Sequence, residues 1–371
     1  MSPRPFAPSP RLNASRRLFA IRSLPGFRAA AILFGVVLAS VPAFAGDPER
    51  TEGPKVLSDE RGSASDATPI FPPPPVGVRF GETLEGKRVR LAYSWERIRE
   101  QGLAAGEDNI TAGQTRALGF MQTPRALEIT VHTFQMAYAP HPRATLVAEL
   151  PFIQKELETV GTSAMGFARS EVQTEGIGDV GFALVVPFIR KGFESSQVHI
   201  GIDIPTGAIR RGGDDLRLPY DLQIGNGSWD FEWGWTYRGE TARVSWGGQV
   251  VGRHPLARNG LKYRTGSRVA GTVWGGVRIA AGLSVSLRVE WEKYNNIQGF
   301  DRTLRPDFDP SENALTHAGN RITLAPGISL DIPQLNHQRI AVEMGIPVHQ
   351  QLDGPQLERD WTMKTVWQWV Y

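Results

Sequence analysis

The residues able to carry chemistry are scattered through this chain. Seven histidines, His132, His141, His199, His254, His317, His337 and His349, include no close ligand pair, so their spacing builds no zinc site. Asp307, Asp309 and Ser311 imitate the opening of a calcium loop, but the turn glycine is missing and the twelfth position is Ala318. Gly176-Ile-Gly178-Asp-Val-Gly181 spells G-x-G-x-x-G. A dinucleotide needs that motif between a strand and a helix, whereas here it follows a polar loop and runs into a strand. P-loop, H-E-x-x-H and G-x-S-x-G patterns are absent. Cysteine is absent too, which excludes a disulfide scaffold, a zinc-thiolate site and a thiol nucleophile. No catalytic residue, metal ligand or cofactor follows, and the expectation is a protein that is not an enzyme.

What remains is a set of polar residues in regular phase. They are Arg90, Glu96, Glu128, His132, Glu149, Asp179, His199, Asp203, Asp230, Glu232, Arg243, Arg288, Glu290, Glu292, Arg321, Asp331, Arg339, Glu343 and Lys364. Both signs of charge share one face. Such a lining pairs internally and fills a narrow passage, or it selects solutes.

The elements that carry this face have period two. Val89, Leu91, Tyr93 and Trp95 alternate with Arg90, Ser94 and Glu96. Leu283, Val285, Leu287, Val289 and Trp291 alternate with Ser284, Ser286, Arg288, Glu290 and Glu292. Such alternation means strands with one apolar and one polar face. It predicts about twelve strands, the even number required of a bacterial outer-membrane barrel, near 87–97, 126–138, 144–153, 177–189, 197–206, 223–237, 242–252, 268–280, 283–294, 321–332, 339–349 and 361–371. In the second, the phase shifts between Val131 and Phe134, which predicts a bulge. Long connections (98–125, 154–176, 207–222, 253–267, 295–320, 350–360) alternate with short ones. That is the pattern of a transmembrane up-and-down β-barrel, with short periplasmic turns and long extracellular loops. All ten tryptophans fall in these strands, and Trp229, Phe231, Trp233, Trp235 and Tyr237 occupy successive outward positions of one of them. On a barrel they meet lipid and its interfaces.

The basic balance belongs to the leader. The 371 residues carry a formal charge of +3 and a pI near 9.2. Residues 1–45 hold six arginines and no acid, then an apolar run from Ala29 to Val41, then Ala43-Phe44-Ala45. This is a secretory signal peptide pattern. Its removal takes the charge to −3 and ends the case for nucleic acid. Residues 46–86 read as a Pro/Gly/Ser-rich periplasmic linker, with a lumen plug as the alternative, and 87–371 as the barrel.

The chain ends Trp367-Gln-Trp369-Val-Tyr371, which resembles the C-terminal signature read by the barrel-assembly machinery, with Tyr for the commoner Phe. Glu175-Gly-Ile-Gly-Asp179-Val180, Ile204-Pro205-Thr206-Gly207 and Leu222-Gln-Ile-Gly225-Asn-Gly227-Ser228-Trp229-Asp230 stand at strand ends. With Tyr138-Ala-Pro, Glu149-Leu-Pro-Phe and Leu352-Asp-Gly-Pro-Gln-Leu, they resemble the MetA-pathway phenol-degradation family of outer-membrane proteins, over about 87–371. The resemblance implies a barrel, transporter-like, passing small aromatic or hydrophobic solutes. The expected location is the bacterial outer membrane after Sec-type export, with lipid and a small-molecule solute as partners. Two alternatives stay open: a non-transporting barrel that displays its loops, and an outer-membrane hydrolase, for which no spacing selects a Ser-His-acid set.

Overall fold

A computed structural model describes residues 71–371, apart from 164–165, 214–215, 333–334 and 336–337. The leader and the start of the linker lie outside the described residues, as does His337. Thirteen strands share one antiparallel sheet. They are β1 (Val89–Gly106), β2 (Asp108–Ile110), β3 (Gln122–His141), β4 (Ala144–Ser163), β5 (Gly166–Ile177), β6 (Val180–Lys191), β7 (Glu194–Ile204), β8 (Asp230–Glu240), β9 (Val244–Pro255), β10 (Arg268–Ala280), β11 (Leu283–Tyr294), β12 (Gly319–Ile332) and β13 (Gln338–Val370). A short helix, α1 (Ala112–Ala117), follows β2. β2 and β5 lie off the ring, the other eleven follow one another around it, and β13 pairs with β1 to close it.

A ring in which every neighbour is antiparallel closes only with an even number of passes. The 33-residue β13 supplies the missing one. Its residues Gln338–Leu352 pair with β12, and the part from Leu352 to Val370 pairs with β1, antiparallel in both cases. The antiparallel steps from β1 round to β12 make those two directions opposite, so the run doubles back near Gly354, whose φ is +82°. Gln350 and Arg359 exchange hydrogen bonds across the fold-back, at 2.9 and 3.0 Å. The barrel therefore has twelve passes. A Cβ added to Gly345 would stand 3.8 Å from that of Thr362, the usual Cβ separation of a disulfide, about 3.8 Å. In this cysteine-free chain, Gly345→Cys with Thr362→Cys should form a bond seen as a reduction-dependent gel shift, and persistent free thiols would refute the fold-back.

The long connections are partly strand. β4 and β5 extend as a hairpin over most of 154–176, and β1 runs on to Gly106. Among the described residues no helix is long and apolar enough to cross a membrane. The strand surfaces are inverted relative to a soluble protein. Large apolar side chains such as Phe134 (58% exposed), Val348 (62%), Ile200 and Leu287 stand outside, while Arg90, Arg288 and Glu343 are buried within. Only lipid makes that arrangement favourable.

Close approach explains some of the strand glycines. A Cβ at Gly234 would sit 2.2 Å from the His199 ring, and one at Gly252 would sit 2.4 Å from Trp233. Large rings lie flat across the neighbouring strand only where that strand has no side chain.

Candidate functional site

The lumen is the candidate site. Residues 71–86, the end of the stretch read as a linker, lie inside it. Gly77 approaches the Arg288–Glu343 pair, and Phe80 and Leu84 pack with Ala137, Ala139, Val147 and Val185. Arg79 donates to Glu149 at 2.9 Å and to Glu232 at 2.8 Å, and its backbone N–H donates to Gln249 at 3.0 Å. Glu82 accepts from Arg339 at 2.9 Å and lies 3.7 Å from Arg90. The segment is a plug, held near the short-turn end by charge on both of its sides.

A second insertion comes from above. The β7–β8 connection bends inward, fastened by Asp179, whose carboxylate accepts from the backbone N–H groups of Gly207 and Asn226, both at 2.8 Å. Asn226 donates to Asp230 at 2.6 Å. Ile224, Asn226 and Arg253 border two cavities, one on each side. The lower, about 520 Å³, lies between this partition and the plug and is lined by Glu96, Asp203, Glu232 and Lys364 among others. The upper, about 370 Å³, lies under the long loops. Those loops form their own small core of Tyr220, Tyr263, Ile297, Leu304 and Ala314, tied by a buried Arg217–Asp301 pair at 3.2 Å. Asp221 stands among them. Burial pushes its carboxyl up, but His317 at 3.5 Å, with Lys155 and Arg268, holds it below the ordinary aspartate range.

Removing the Asp179 carboxylate should loosen the partition. Two half-buried charge-assisted bonds would be lost, at about 1.5 kcal/mol each, the lower end for such bonds. Asp179→Ala should therefore make the 205–228 connection more sensitive to limited proteolysis, with the barrel intact. Unchanged cleavage would mean the loop is held elsewhere.

Most of the expected polar face points inward. His199 is wholly buried, 3.3 Å from Glu232 and edge-on to Phe80. Asp203 pairs with Arg253, and Arg253 also reaches Asp230 at 3.8 Å. Arg288 joins Glu290 and Glu343, Asp331 joins Arg339, and Glu96 joins Lys364 at 3.5 Å. Glu292 and Arg321 face the upper cavity.

Three expected residues lie elsewhere. Glu128 and His132 are on the outer face of β3, since Leu127, Ile129 and Val131 line the cavities in the opposite phase. Glu128 pairs there with Arg97, and His132 shares a 2.7 Å hydrogen bond with the Tyr93 hydroxyl. No bulge separates Val131 from Phe134, because β3 pairs with β4 in unbroken register from Ala126 to Tyr138. The alternation misleads because polarity is inverted in this stretch of β3: Leu127 and Ile129 point inward to a lumen cluster with Leu103, Leu157, Leu222 and Leu357, while Glu128, Thr130 and His132 stand outside. Arg243 is exposed in the β8–β9 turn.

The sequence reading omitted Arg79 and Glu82, hidden in a proline-rich stretch. Also missed were Arg268, the first residue of its expected strand, Arg253, one residue past an expected strand end, and Arg359, which a register shift beside Glu100 turns inward. The calcium-like Asp309 instead caps a single turn, accepting from the backbone N–H and hydroxyl of Ser311 at 2.8 and 2.7 Å. The glycines of 176–181 lead into β6, as a strand opening rather than a nucleotide cradle. Among the described residues no group of three or more His, Asp or Glu is placed to hold a metal.

These features define a closed antiparallel barrel of the outer-membrane class, with an occupied and divided lumen. No family model matches the chain, so the resemblance to the phenol-degradation family is not confirmed, and no curated protein matches it. In fold it is similar to an outer-membrane channel of Pseudomonas putida F1, at 12% identity over 78% of this chain and 97% of that one, with a TM-score of 0.53. A FadL homologue of Pseudomonas aeruginosa is farther away, at 10% identity over 76% and 90%, with a TM-score of 0.39. At such identities the likeness speaks for the fold alone.

Proposed function

We propose that the protein is an outer-membrane channel for small organic solutes, shut at its periplasmic end by residues 71–86. The observation that carries this reading is the stack of two cavities, about 370 and 520 Å³, along a polar lumen. A barrel that only displayed loops would need no such spaces. Twelve passes lie between the roughly 8 that side chains fill and the 16–18 that leave a wide channel. The passage is accordingly narrow and takes single small molecules. The resemblance to the phenol-degradation family supports aromatic solutes, and the neighbour from Pseudomonas putida supports a channel. On this reading the inward residues, Arg90 to Lys364, line the solute path. Residues 1–45 direct Sec export, and Trp367, Trp369 and Tyr371 engage the assembly machinery. The test is conductance of the purified mature chain in planar bilayers, together with solute uptake into liposomes. Neither conductance nor uptake, with and without residues 71–86, would return the protein to the class of loop-displaying barrels.

A further inference from the structure

The upper cavity is two-sided. One wall carries an apolar patch, Ile98 of β1 and Leu127 and Ile129 of β3, bordered by Glu100 and Lys155. Across the ring, β10 and β12 bring Arg268 and Arg321 to the same space, and Arg359 joins them from β13. The cations outnumber their partners. Arg321 is 4% exposed; its Nε donates to Gln350 at 2.9 Å, but its contact with Glu292 is 3.5 Å and its contact with the Tyr294 hydroxyl is 3.4 Å. Arg268 meets that same Glu292 at 3.7 Å. Charge-assisted hydrogen bonds run at about 2.7–2.9 Å, so one carboxylate faces two guanidiniums and satisfies neither. Arg359 donates to Glu100 at 3.1 Å, but its buried Nε has no hydrogen-bond partner. In all, Lys155, Arg253, Arg268, Arg321 and Arg359 line the cavity against Glu100, Asp221, Asp230 and Glu292, five cations to four carboxylates. Between them, Arg268 and Arg321 both lie over the Tyr294 ring, at 5.9 and 5.6 Å.

A cationic surplus, buried at Arg321 and open to solvent at Arg268, with poorly used donors fits an incoming anion. The facing apolar patch fits a hydrocarbon body. We infer that the upper cavity binds small organic monocarboxylates with an apolar body, the carboxylate at Arg268 and Arg321 and the body against Ile98, Leu127 and Ile129. This rests on the channel reading and narrows it: the selected solute is the acid rather than the neutral hydrocarbon. The volume, about 370 Å³, holds one aromatic ring with a few waters, each of which takes about 30 Å³.

The test is calorimetric titration of the full-length chain in detergent with benzoate and with benzamide, which share a ring but not a charge. Benzoate should bind saturably and benzamide at least tenfold more weakly, about the worth of one charge-assisted bond. Arg268→Gln, at the exposed start of β10, should weaken benzoate about tenfold and leave benzamide unchanged. Arg321→Gln should do the same, with heat-shifted mobility in SDS gels confirming that each variant is folded. Equal binding of both compounds, or benzoate binding indifferent to both substitutions, overturns the inference. Bilayer conductance separates the two readings. Conductance without benzoate selectivity removes the acid site and keeps the channel, while benzoate binding without conductance keeps the site and removes the channel.

Discussion

Replacing Arg79 with Met should open the barrel. In planar bilayers the wild-type chain is expected to show rare openings, and the variant to conduct for most of the record. Arg79 is the central fastening of the plug, with Glu149 at 2.7 Å on one side and Glu232 at 2.8 Å on the other. Its loss leaves two carboxylates of one sign in the lumen with their shared cation gone. The guanidinium keeps access to lumen water (32% exposed), so the cost is set near the lower bound for breaking a buried pair, about 3 kcal/mol. That changes a closed-to-open ratio by roughly a hundredfold. The backbone acts in the same direction. Phe80 has φ +46°, in the left-handed region, where a bulky side chain costs about 1–2 kcal/mol. It is kept there by the bonds to Arg79, by its own carbonyl accepting from Gln197, and by packing against His199. Releasing Arg79 lets that strain relax. Deleting residues 72–81 removes the plug outright and should give a larger, steady current. A variant as silent as the wild type, with the deletion silent too, would show that the lumen is blocked at the partition instead.

The barrel was legible because most of its strands carry an unbroken period of two. Leu283 to Glu292 alternates without exception, and the structure turns its apolar members to lipid and its polar members inward. The reading failed where an inner wall is itself apolar. On β3, Leu127 and Ile129 pack into the lumen cluster with Leu157, so the polar phase there points outward and Glu128 and His132 were assigned to the wrong face. Two features left no local signal at all. Pro72 to Pro75 reads as solvated linker by composition, and nothing near it announces that Arg79 will meet Glu149 and Glu232, 70 and 153 residues away. The inward bend of the β7–β8 connection likewise depends on Asp179, a residue of another connection. Strand faces are a local property of sequence, whereas what fills the lumen is set by pairing across it.

Removing residues 356–371 should abolish the barrel altogether. The truncated chain would keep eleven passes. The first part of β13 and β1 would then be the exposed edges, and they run in the same direction. The antiparallel register that closes the native ring, unbroken from Arg90 opposite Val370 to Arg99 opposite Trp361, could not be rebuilt between them. The clamp between Val89 and Tyr371, with N–H···O distances of 3.0 and 2.8 Å, would go as well. Two edges of unpaired N–H and C=O groups would face hydrocarbon, at several kcal/mol for each group left unsatisfied. No side-chain interaction in the lumen offsets a penalty that recurs along a whole strand. Refolded into detergent, the truncated chain should lack the SDS-resistant, heat-shifted band of the intact one. Tyr371→Ala changes one side chain and keeps every backbone pair, so it should retain that band. If assembly in cells nevertheless fails for Tyr371→Ala, the terminal aromatic acts in recognition rather than in closure. A truncated chain that still resists SDS would mean that the last pass is not what closes the ring.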